Sequence, residues 1–105
     1  MKIDANHAFT VEEAQARIKA LTDYWAKRYG VQTLWNGSTA QISGKVRGVS
    51  FNGQIAVDAQ SVRADVKAGF LAEKLGGRSY VDGKLRDYLN PGHTVEQLQA
   101  RVAAA

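Results

Sequence analysis

The side chains that could do chemistry in this chain are few. There are two histidines, His7 and His93, and no cysteine. A metal centre needs about three or four converging ligands, and a thiolate site is excluded outright. Neither histidine has a ligand partner at helical or strand spacing, so no metal and no cofactor is expected. His93 follows Pro91-Gly92 and reads as an exposed loop residue. His7 shares the parity of Ile3 and Ala5 and reads as a hydrogen-bonded residue at the edge of a core. Asp58, Asp65 and Asp82 could share general acid–base work only if the fold brought them together. Asp65 stands between Arg63 and Lys67, the pattern of a solvated charge ladder. The glycines at 48, 53, 69, 76, 77 and 83 fit neither a phosphate loop nor a dinucleotide fingerprint. Gly76-Gly77-Arg78 ahead of Ser79 could hold an anion at a helix start, although a turn needing positive φ is the ordinary reading. No catalytic residue is assigned, and the expectation is a protein that is not an enzyme.

Two surfaces could bind rather than react. Arg63, Lys67, Lys74, Arg78, Lys84 and Arg86, with Arg47 beside them, form a basic patch if the wet side of a hairpin and a late helix lie together. The net charge of +4 allows an acidic partner such as nucleic acid, but lysine and arginine form no block. Phe51, Tyr80 and Tyr88 carry core parity, so the aromatic interleaving that single strands require is weak. The second surface is apolar. Leu34 and Leu71 lie opposite in parity to Trp35 and Phe70; with Leu75 and a tail stripe of Val95, Leu98 and Val102 they could meet a partner chain or an apolar surface. The alternative is that the tail covers its own domain.

These residues need positioning by a sheet and helices. Residues 1–8 read as a short strand. Thr10-Val11-Glu12-Glu13 is a capping box, with Phe9 placed as a staple to Ala14. Val11, Ala14, Ile18, Leu21 and Trp25 then make one face of a helix over 11–29, with Arg17 among the polar residues and Gly30 as its stop. Val31–Asn36 and Thr39–Gly44 are strands joined by Asn36-Gly37, the pair that favours a type I′ turn; residues 45–47 turn the chain. From 48 to 58 the parity of Val49, Phe51, Ile55 and Val57 runs unbroken through Asn52-Gly53. One long strand is expected there, with Gly53 inward and leaving room for Trp25 or Trp35. A second hairpin at that Asn-Gly pair is the alternative. Residues 58–61 turn, and 61–69 form the last strand. A short helical turn or loop spans 70–78. Ser79 caps a helix over 79–90 whose apolar face is Val81, Leu85, Tyr88 and Leu89, and Asn90-Pro91-Gly92 stops it. Thr94 caps a tail helix.

The expected fold is a two-layer α+β domain, β-α-β-β-β-β-α plus a C-terminal tail helix, its antiparallel sheet covered by helices on one face. The pairing of the first strand is left open. An exposed last strand offers an edge for a homodimer. At 105 residues one domain is expected over 1–90, with 91–105 as a helical extension. No apolar run reaches the length of a membrane span, and no secretory signal is seen at the start, which gives a cytoplasmic expectation.

The residues also resemble a family. His7-Ala8-Phe9-Thr10 with Glu13-Ala14 and Arg17, Tyr29-Gly30-Val31 with Trp35-Asn36-Gly37, and Gly48-Val49 with Gly53, Ile55 and Val57 carry the likeness. So do Val62, Val66, Gly69 and Leu71, and the closing Leu85–Leu89. Together they resemble the polyhydroxyalkanoic acid system proteins, small bacterial proteins tied to storage-polyester synthesis or granules. Ala68 and Phe70 replace the bulkier aliphatics usual around the glycine. The resemblance covers roughly residues 7–90 and implies a granule-associated accessory role, with no catalytic residues to carry over. Three readings stand at this point. The first is a non-enzymatic accessory protein of polyester granules, binding the granule surface or a granule protein. The second is a basic nucleic-acid-binding module. The third is a small-ligand-binding or enzymatic α+β domain with a pocket between helix and sheet.

Overall fold

Alternating parity and capping residues account for most of the architecture. The computed structural model describes residues 1–46, 48–68 and 76–105. Its elements run β1 (Lys2–Asn6), α1 (Val11–Tyr29), β2 (Gln32–Asn36), β3 (Thr39–Val46), β4 (Val49–Val57), β5 (Ser61–Ala68), α2 (Gly77–Tyr88) and α3 (Val95–Ala104). The strands form one antiparallel sheet in the order β1-β5-β4-β3-β2. The helices lie on one side of it, so the α+β expectation holds.

Strands β2 to β5 make the meander, and β1 returns to pair with β5, Ile3 standing opposite Ala64. This corrects the dimer edge drawn from the sequence. β5 lies inside the sheet, and the true edges are β1 and β2. The expected turn at 45–47 also shifts, because β3 runs on to Val46. Gly48 takes φ 80° in the turn that leads directly into β4.

The two Asn-Gly pairs behave differently. The β2–β3 hairpin forms where expected, but its two turn residues are Gly37 and Ser38, one place on from the expected pair: Asn36 ends β2 opposite Thr39, and Gly37 takes φ 61°. Asn52-Gly53 lies inside β4, where Asn52 faces Ser43 and Lys67, and Gly53 faces Ile42 and Val66. No indole fills the space at Gly53. A Cβ there would lie 2.5 Å from the Asp65 carbonyl oxygen and 2.9 Å from the Val66 Cα, so the backbone of β5 occupies it.

The core lies between sheet and helices. Ile3, Ala40, Ile42, Ile55, Val57, Val62, Ala64 and Val66 rise from the sheet to meet Ala14, Ile18, Leu21 and Trp25 of α1 and Leu85, Tyr88 and Leu89 of the α2 end. Thr10 accepts from the Glu13 amide at 3.1 Å, and Gly30 stops α1 at φ 73°. Glu13 does not reach back to complete the box; its carboxylate takes Arg17 instead. α2 begins after Gly76 rather than at Ser79, with no side-chain cap. Thr94 and Gln97 make a complete capping box at α3, and α3 packs along α1.

Candidate functional site

The side of the sheet away from the helices carries no helix among the described residues. Strand register arranges its side chains in rows. One row is Gln32, Ser43, Asn52 and Lys67; the next is Leu34, Gln41, Gln54, Asp65 and Lys2. Gln32, Gln41, Ser43, Asn52 and Gln54 are all exposed. The rows therefore run from neutral amides and hydroxyls at the β2 edge to charges at β5 and β1. An open trough of about 640 Å³ follows these rows. Leu34 stands at its rim, 70% exposed. Arg63 sits opposite Asp4 with their charged atoms 3.4 Å apart, a solvated pair that adds little stability.

The helix side is closed by polar groups tied to one another. Arg17 is only 3% exposed. Its NH1 donates to the carbonyls of Tyr88 and Asn90, each at 3.1 Å, and its NH2 to the carbonyl of His93 at 2.6 Å. Its Nε donates to Glu13, and the guanidinium lies 4.0 Å over the Phe9 ring. One side chain of α1 thereby holds the end of α2 and the loop before α3. The sequence reading put Arg17 on the polar face. The signal that locates it is the stripe itself, since position 17 is three after Ala14 and four before Leu21. Nearby, Arg101 donates to Asp87 at 2.6 Å and His93 donates from Nε2 to the other oxygen at 3.1 Å. The Arg101 hydrogen bond leads in holding the Asp87 carboxyl below its ordinary range. His93 is thus a half-buried member of a network, not an exposed loop residue. Trp25 donates to the Tyr80 hydroxyl at 3.2 Å, and burial pushes that phenol up to about 12. Tyr24, Arg28, Lys84, Tyr88 and Arg101 line an open groove of about 670 Å³ between the helices.

The remaining candidates for chemistry are engaged in structure. His7 accepts the Phe9 amide at Nδ1, so Nε2 carries the proton and donates to the Asp58 carbonyl, as its core-edge parity implied. The Asp58 carboxylate accepts from the amides of Gln60 and Ser61 and from the Ser61 hydroxyl. Those backbone bonds hold its carboxyl below the usual range. Asp58 lies in the β4–β5 turn, Asp65 on the open face and Asp82 on α2 beside Arg86, so the fold does not join them. Of the two described hollows, neither lies between helix and sheet.

The basic patch is divided. Arg63 and Lys67 project from the open face, whereas Arg78, Lys84 and Arg86 belong to α2 on the helix side. Lys84 rests near the rings of Tyr24 and Tyr80, and Arg86 bonds Asp82. Lys74 and Arg47 lie outside the described residues. The apolar set is also divided. Leu98 is fully buried, and Val95 and Val102 are half-buried, so this face of the tail covers its own protein and Leu98 is not a docking residue. Leu71 and Leu75 lie outside the described residues, as does Phe70. Of the described members of the set, only Leu34 stands exposed as expected.

Comparison with curated proteins and with solved structures returns no match in either case. A protein-family model described as polyhydroxyalkanoic acid system protein, of the granule-region type, matches residues 1–91. The match spans every strand, the long helix with its buried arginine and the second helix. On that coverage, the chain belongs to the polyhydroxyalkanoic acid system protein family.

Proposed function

We propose that this protein is a non-enzymatic accessory of polyhydroxyalkanoate granules and that its uncovered sheet face rests on the polyester surface. The observation that carries this reading is the neutral stretch of the two rows, Gln32, Ser43 and Asn52 in one and Gln41 and Gln54 beside the exposed Leu34 in the other. A polyester presents ester carbonyls and alkyl chains, with acceptors but neither donors nor charges. Side-chain amides and hydroxyls supply the missing donors, and Leu34 supplies apolar contact. A charged face would lose hydration against such a surface with no counter-ion in return; within the two rows the charges lie toward β5 and β1, and Lys45 of β3 lies beyond them, opposite Ser50. The engagement of His7, Asp58 and Asp87 in structural hydrogen bonds supports binding over catalysis. In this reading the protein works in the cytoplasm, at the granule.

Co-sedimentation with native granules and with protein-free amorphous polyester particles tests the proposal. The protein is expected in both pellets. Gln41→Glu with Gln54→Glu places two carboxylates in the trough and should move most of it to the supernatant. Recovery in the supernatant with both particle types ends the granule reading. A pellet with native granules alone replaces polyester by a granule protein as the occupant.

A further inference from the structure

The groove between the helices is lined from all three of them and, among the described residues, by no strand. Each of the first two supplies a cation and a tyrosine one turn apart, Tyr24 with Arg28 on α1 and Lys84 with Tyr88 on α2. Residues four apart share a helix face, so both pairs turn to the same hollow. From α3 come Arg101 and Ala104. The described lining side chains therefore include three cations and one anion. That anion, Asp87, is already bound to Arg101 and His93. Arg28 and Lys84 make no ion pair among the described residues. Lys84 rests against rings instead, 5.7 Å from the centre of Tyr24 and 5.8 Å from that of Tyr80.

A second observation points into the same hollow. Tyr88 is only 1% exposed, and Arg101 lies 5.1 Å over its ring. The Tyr88 hydroxyl donates to no group among the described residues. Burial raises that phenol above its ordinary value, so it keeps its proton. A buried hydroxyl with an unspent proton is costly unless an acceptor reaches it, and the groove is the way in for one.

We propose that the groove binds a small phosphate monoester carried on a ring or other apolar body. Two unpaired cations match its charge of about −2 near neutral pH, and its three outer oxygens are acceptors for Arg28, Lys84 and the Tyr88 hydroxyl. A carboxylate brings one charge and two oxygens and would leave a cation over. The walls of Tyr24, Tyr88 and Ala104 suit an apolar body, and a hollow of about 670 Å³ suits a ligand of that size. The groove lies off the sheet, so this site does not depend on what the open face binds.

Chemical-shift mapping by proton–nitrogen NMR, with phenyl phosphate as the probe, is the test. The signals of Tyr24, Arg28, Lys84 and Tyr88 should move with a Kd on the order of 1 mM, the affinity of a very small ligand in an open groove. Inorganic phosphate lacks the ring and benzoate lacks the second charge; each should bind roughly tenfold more weakly. Arg28→Gln with Lys84→Gln, on two side chains outside the core, should raise the phenyl phosphate Kd by roughly tenfold or more and leave the spectrum as dispersed as before. Tyr24→Leu keeps the charges and should weaken phenyl phosphate but not inorganic phosphate. No shift at roughly ten times the expected Kd overturns the proposal. So do shifts centred away from the groove, shifts unchanged in the double variant, and inorganic phosphate or benzoate binding as tightly as phenyl phosphate.

Discussion

The two sides of this sheet use polar groups in opposite ways. On the helix side those that join the helices are buried and paired. Arg17 is matched to three carbonyls and a carboxylate, and Asp87 to Arg101 and His93. On the open side the amides of Gln41 and Gln54 have no side-chain partner among the described residues. Buried polar groups are costly unless satisfied, so the helix-side groups specify the fold. Exposed amides cost nothing to leave in water and remain free for another surface. Where a polar residue sits relative to the sheet therefore separates architecture from interaction better than its chemical type does.

Substitutions should reveal that contrast in graded steps. Arg17→Ala leaves the carbonyls of Tyr88, Asn90 and His93 without their donor and should cost about 3–5 kcal/mol in urea unfolding. A loss below about 1 kcal/mol would remove Arg17 from the centre of the fold. Gly53→Ala drives a methyl into the backbone of β5 and should cost about 2–3 kcal/mol; a neutral result would mean that β4 and β5 separate easily. Thr94→Ala removes the acceptor for the Gln97 amide and should cost about 1 kcal/mol, read from the thermal midpoint.

Asp87 gives a smaller, pH-dependent effect. Its folded carboxyl titrates below the unfolded value of about 3.9. Its contribution is thus complete above that value and is lost as pH falls through the folded one. Asp87→Asn should flatten the acid limb of the stability curve and lower the neutral-to-alkaline limb by a constant amount. Steepness equal to that of the native protein would show that Asp87 contributes nothing to acid unfolding. At the bottom of the series, Gln54→Ala should change stability by no more than about 0.5 kcal/mol while lowering recovery with polyester particles. A large stability loss there would erase the distinction between the two sides.

The same contrast explains what the sequence disclosed. Parity alone identified the strands, because each has one dry face, and it correctly overruled the turn chemistry of Asn52-Gly53. Both Asn-Gly pairs permit a hairpin, but only at 36–37 does the apolar phase end at the pair. Caps marked both ends of α1 and the start of α3, since those hydrogen bonds are local. Pairings between distant residues stayed hidden. The return of β1 onto β5 and the reach of Arg17 to Tyr88, Asn90 and His93 join positions far apart in the chain, and no spacing encodes them. The tail stripe of Val95, Leu98 and Val102 was visible as apolar, but apolarity does not tell a docking face from a buried one. Leu34 was legible as an outward residue because its strand has a strict period. Its place on an edge strand emerged only once the order of the sheet was known.

The reach of Arg17 also bears on how the protein opens. Two of its carbonyl partners lie inside the segment shared with the family and the third, His93, lies just beyond it. The middle of α1, the end of α2 and the start of the tail are consequently locked at one guanidinium, and none can come loose without breaking bonds of the other two. Such a lock makes a single cooperative unit of segments from both ends of the chain. In hydrogen exchange, amides of the tail helix near Leu98 should open with those of α1 rather than fray independently, so that a helix outside the family segment shares the lifetime of its core.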